Sequence, residues 1–75
     1  MRLPYARPVA AARTRAANLG HRLPSGRFQR LGLSWVASCL DCGAPIHSLA
    51  FPATAYGAAL SGPAAKVTCY RATSR

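Results

Sequence analysis

Phe28-Gln29-Arg30-Leu31-Gly32-Leu33-Ser34-Trp35-Val36-Ala37-Ser38-Cys39-Leu40-Asp41-Cys42-Gly43 holds the chain's one tryptophan and two of its three cysteines. Its apolar spacing admits two readings. Phe28, Leu31, Trp35 and Cys39 recur at intervals of three, four and four, which is helical, while Leu31, Leu33 and Trp35 alternate as they would along a strand. Gly32 and Ser34 weaken both patterns. The helical one spans more of the stretch, so the reading is a marginal helix over about 27–40.

Working outward toward the N-terminus, Leu23-Pro24-Ser25-Gly26 has the composition of a turn. Before it, about Pro8 to Leu19 carries the best local helix signal, with Pro8 suited to a first helical position, five alanines of high propensity and Gly20 available to close the end. Val9, Ala12, Ala16 and Leu19 share one narrow face, a shallow stripe that is mostly alanine. Three turns of this kind are marginal alone in water. Beyond Gly43, Pro45, Pro52 and Pro63 cut the chain into short pieces. Ala53 to Leu60 is expected to make two helical turns and Val67 to Tyr70 a lone strand.

Composition weighs against a core. Of 75 residues 16 are alanine, while Leu, Ile, Val and Phe together number 14, and the formal net charge is +9. A large-apolar fraction below ~20% with high net charge is typical of chains that bury too little surface to hold a fold. The expected class is therefore mostly disordered or irregular, at best small α with one or two marginal helices (8–19 and 27–40) and no established globular fold. No domain is drawn. Charge divides the chain into a basic Arg/Ala-rich segment at 1–30, an uncharged Ala/Gly/Pro-rich segment at 31–65 broken only by Asp41, and a basic tail at 66–75. Ala, Arg, Gly and Pro make up 37 residues and glutamate is missing altogether. A GC-rich open reading frame, even a spurious one, gives such a composition without selection for a balanced surface.

The residues that carry chemistry are few. Cys39 and Cys42 form a C-x-x-C pair that can grip one metal or close a disulfide, and Gly43 permits the tight turn after it. With His47 these resemble the first three ligands of a CCHC zinc knuckle, whose fourth position is here Pro52. A four-ligand zinc site can still be drawn from Cys39, Cys42, His47 and Cys69, with His21 as a replacement donor. A thioredoxin-like role lacks the surrounding βαβ pattern. Asp41 is the sole carboxylate side chain, so paired-carboxylate chemistry is excluded and no enzyme activity is expected. No cofactor is expected either.

The arginines point to anionic partners. Arg2, Arg7, Arg13, Arg15, Arg22, Arg27 and Arg30 stand in the first 30 residues with no opposing acid, a distribution suited to nonspecific contact with nucleic acid or an anionic membrane surface. Tyr5, Phe28, Trp35 and Tyr70 are available to stack on unpaired bases. Cys42 to Ala65 is uncharged and long enough to cross a bilayer, yet three prolines make a spanning helix a poor reading, and the chain is not expected to be transmembrane. An arginine-rich, acid-free N-terminus is also similar to a mitochondrial transit peptide, which would place the protein in the mitochondrion. The leading expectation is a small basic polypeptide with no determinable biochemical activity. Anion binding, targeting and zinc binding stand as alternatives.

Overall fold

Gly32 and Leu33 settle the ambiguous stretch. They are the two-residue loop of a β-hairpin, joining β1 (Gln29–Leu31) to β2 (Ser34–Ser38) with Leu31 opposite Ser34. Gly32 has φ 63° and Leu33 a negative φ, the requirement of a II′ turn, which follows the natural twist of the strands. A second turn at 39–44 leads to β3 (Pro45–Leu49), which pairs antiparallel with β2, and β4 (Leu60–Ser61) pairs antiparallel with β3. The sheet order is β1-β2-β3-β4. The structure is a computed structural model and describes residues 3–50 and 59–73.

One face of this sheet is covered. Trp35 stands opposite Ser48 and Ala37 opposite Ile46, and this face packs against α1 (Ala6–Asn18). Between β4 and the end of the described chain come a 3-10 turn, Pro63–Ala65, and a short helix α2 (Tyr70–Thr73). The core cluster is Val9, Ala12, Ala16, Phe28, Trp35, Ile46, Ala50, Ala64 and Ala65, five of nine being alanine. Small side chains let the helix and the 3-10 turn approach the strands closely, so buried area comes from short separations instead of large residues. Gly62 serves the same end, since a Cβ there would lie 2.6 Å from the Pro45 carbonyl oxygen.

Polar bonds fix the layers to one another. The Trp35 indole donates to the Pro4 carbonyl at 2.7 Å, the Phe28 amide donates to the Tyr5 hydroxyl at 2.9 Å, and the buried Ser48 hydroxyl donates to the Pro8 carbonyl at 2.8 Å. Among the described residues no buried side-chain N or O lacks a partner.

Several expectations are thereby corrected. The chain is a small α+β globule, not mostly disordered or irregular: its radius of gyration is 11.9 Å, close to the ~11 Å of a folded chain of this length and far from the ~27 Å of an unfolded one. Over 27–40 there is a hairpin instead of a helix, because glycine at the first loop position favours reversal over continuation. Val67 to Tyr70 is not a strand; it is a loop entering α2. Of the helix expected at Ala53 to Leu60, Leu60 belongs to β4 and 53–58 lie outside the described residues. Helix α1 begins at Ala6, two residues before Pro8, whose missing N–H costs nothing within a first turn. No described helix is long and apolar enough to cross a membrane.

Candidate metal centre

At the end of the sheet away from the β1–β2 loop, three separate parts of the chain converge. The first is the C-terminus of α1. Gly20, at φ 79°, donates its N–H to the Ala17 carbonyl at 3.0 Å, and His21 donates to the Ala16 carbonyl at 2.8 Å, the paired bonds of a Schellman motif. This motif turns the chain sharply and brings the His21 ring between the Val67 carbonyl and Cys42. The second part is the turn between β2 and β3, where the Cys39 amide donates to Ala44 at 2.8 Å and the Gly43 amide to Cys39 at 2.9 Å, with Gly43 at φ 78°. The third is Cys69, whose amide donates to the Leu19 carbonyl at 2.8 Å, so the helix end also holds the C-terminal segment.

The ligand atoms of His21, Cys39, Cys42 and Cys69 all lie within 4.8 Å of one another. Two edges of this group have the dimensions of a tetrahedral metal site. Cys39 Sγ and Cys69 Sγ are 3.9 Å apart, and Cys42 Sγ is 3.5 Å from His21 Nδ1. Zinc bonded at about 2.3 Å to sulfur and about 2.0–2.1 Å to nitrogen in a regular tetrahedron requires roughly 3.8 Å between sulfurs and roughly 3.6 Å between sulfur and nitrogen.

The surroundings prepare these atoms for a cation. His21 Nε2 lies 2.6 Å from the Val67 carbonyl oxygen. A carbonyl only accepts, so Nε2 carries a proton, and Nδ1 is the ring nitrogen that faces Cys42 Sγ and is placed to serve as a ligand. Arg22 and Asp41 backbone N–H groups each donate to Cys39 Sγ at 3.4 Å. Burial raises the Cys39 thiol, but the backbone N–H groups of Cys42, Arg22 and Asp41, with the His21 ring, outweigh it and bring the group down to about 6. For Cys42 the Ala44 N–H acts downward, while burial and the neighbouring Cys39 and Cys69 sulfurs prevail and hold it above its ordinary value. Neighbouring thiols competing for one proton-poor space are what a bound divalent cation would relieve.

His47 is not in this group. On β3, Ile46 and Ser48 face the core, so alternation puts His47 on the outer face, opposite Val36 and Ser61. The structure thus brings Cys39, Cys42 and Cys69 together with His21 and leaves His47 apart. Asp41, one residue from Cys42, bonds the Arg22 guanidinium at 3.0 Å and is not a member of the group. Of the seven arginines read as polyanion contacts, Arg2 lies outside the described residues, Arg13 is committed to the Pro24 and Gly26 carbonyls and Arg22 to Asp41, while Arg7, Arg15, Arg27 and Arg30 are distributed over the surface. Three of the four aromatic residues read as base-stacking platforms are taken up by the fold, Phe28 and Trp35 in the core and Tyr5 half-buried against Trp35.

No family model, curated protein or solved structure matches this chain. The functional reading therefore rests on the geometry of the site. The Val67 carbonyl, which selects the histidine tautomer, is a backbone group and has no signature in sequence. His21 has one: it directly follows the glycine that closes a strong helix signal.

Proposed function

We propose that this protein is a small structural zinc module, in which one Zn²⁺ bound by His21, Cys39, Cys42 and Cys69 staples the end of α1, the β2–β3 turn and the C-terminal segment together. The observation that carries the reading is the convergence of three sulfurs and one imidazole nitrogen, drawn from three parts of the chain, within 4.8 Å of one another and with two edges at tetrahedral spacing. Soft thiolates with one imidazole favour zinc over magnesium or calcium, which take oxygen ligands. His21, Cys39 and Cys69 are buried, and four protein ligands leave no open position for a substrate, so the role is structural. In a chain whose core is mostly alanine, the staple supplies cohesion that larger side chains would otherwise provide.

The test is metal analysis of the full chain purified under reducing conditions, with X-ray absorption at the zinc edge. The expected result is one zinc per chain, with about three sulfur neighbours near 2.3 Å and one nitrogen near 2.0–2.1 Å. Absence of stoichiometric zinc, before and after reconstitution, would overturn the reading.

A further inference from the structure

The opposite end of the sheet carries a different surface. Leu31 and Leu33, on the β1–β2 hairpin, are 62% and 58% exposed, and Leu49, which joins them through the register Leu31↔Ser34↔Leu49, is 37% exposed. Leucines so placed cost free energy in water and contribute nothing to the core. One cation, from the Trp35-bearing side of the sheet, is held at the same loop. Arg30 is exposed and its Nε donates to the Gly32 carbonyl at 3.1 Å, which holds the guanidinium against the loop. Arg27 is also exposed, its guanidinium 3.9 Å over the Tyr5 ring and 5.6 Å from that of Trp35. Stacking occupies the face of the guanidinium and leaves its N–H edge for an outside acceptor.

Charge complementarity says what kind of partner this end fits. The whole chain has one acidic side chain, Asp41, which lies at the metal end bonded to Arg22. No carboxylate side chain is therefore available to Arg27 and Arg30. A nucleic acid would satisfy the arginines but leave the three leucines in water. An anionic bilayer satisfies both, with leucines entering the interfacial region and guanidinium edges meeting lipid phosphates, and such pairing of an apolar anchor with basic residues is what stable peripheral attachment requires. We propose that the tip of the β1–β2 hairpin, with Leu31, Leu33 and Leu49 at this end of the sheet and Arg30 held at the loop from its other face, is a docking surface for an anionic membrane. The surface lies at the far end of β2 from the ligand cluster, so it stands independently of the zinc reading.

Vesicle co-sedimentation of the full chain tests it, with phosphatidylcholine alone, phosphatidylcholine containing phosphatidylserine, and a labelled DNA duplex as the competing polyanion. The L31S/L33S variant keeps the fold intact because both side chains are exposed, and unchanged circular dichroism checks this. Of the two kinds of vesicle, only the serine-lipid ones are expected to bind, and that binding is expected to fall about tenfold in L31S/L33S and to fall more in R30Q than in the charge-matched R15Q. Binding of the DNA duplex should be the same for L31S/L33S and the parent. No binding to anionic vesicles, or anionic-vesicle binding that L31S/L33S leaves unchanged, would overturn the proposal. So would R30Q and R15Q having equal effects, which would mean diffuse charge, or loss of DNA binding in L31S/L33S to the same degree as vesicle binding.

Discussion

His21 and His47 are the same side chain, and the backbone alone separates their roles. His21 follows a left-handed glycine, is buried, and has its Nε2 proton held by the Val67 carbonyl at 2.6 Å. His47 sits mid-strand on the outer face of the sheet. H21A is therefore expected to weaken zinc binding by more than the roughly 10–100-fold that loss of a supporting group costs, whereas H47A should leave it unchanged; competition against a chromogenic chelator measures both. At this scale the candidate site was partly legible. The C-x-x-C pair marks itself by spacing, and Cys69 is the only other thiol. His47 was the nearer histidine in sequence, but strand alternation, which the helical reading of the preceding stretch obscured, turns it away.

The elements show why the remainder was hard to read. A single loop glycine decides between helix and hairpin over 27–40, and Leu33 in that loop gives the strand pattern a false continuation through the turn. Helix α1 was legible because its signals are local: alanine propensity and a closing glycine. Its end matters more than its middle, since the Schellman bonds of Gly20 and His21 set the direction of a candidate ligand. G20A puts a Cβ on a residue at φ 79°, which costs about 1–2 kcal/mol. The expected outcome is a lower melting temperature together with weaker zinc affinity, read by thermal circular dichroism and chelator competition. A change at the helix end that altered melting alone would mean that the motif supports the fold without orienting His21.

For the whole molecule, composition misled because it counts large apolar residues and not how closely small ones pack. Ala12, Ala16, Ala50, Ala64 and Ala65 fill the space between helix, sheet and 3-10 turn, a use of alanine invisible until the elements are assembled. Such a core is thin, and the metal reading makes a molecule-scale prediction. Chelation of zinc under reducing conditions should expand the chain from a radius of gyration of 11.9 Å toward the ~27 Å of an unfolded polymer, as measured by small-angle scattering. An unchanged radius would mean that alanine packing and backbone bonds suffice without the staple.

The order of the four ligand residues along the chain has its own topological result. His21, Cys39 and Cys42 precede β4, and Cys69 follows it, so a metal held by the four would close a ring of backbone that contains the whole of β3 and β4. Cleaving one peptide bond between Ala50 and Ala59 would divide the covalent chain into two fragments. The fragments would still share the β3–β4 pairing, the bond from the Cys69 amide to the Leu19 carbonyl, and one set of ligands contributed by both. A nicked molecule would thus migrate as a single particle with metal bound and as two pieces once a chelator had taken the metal from its thiols and imidazole.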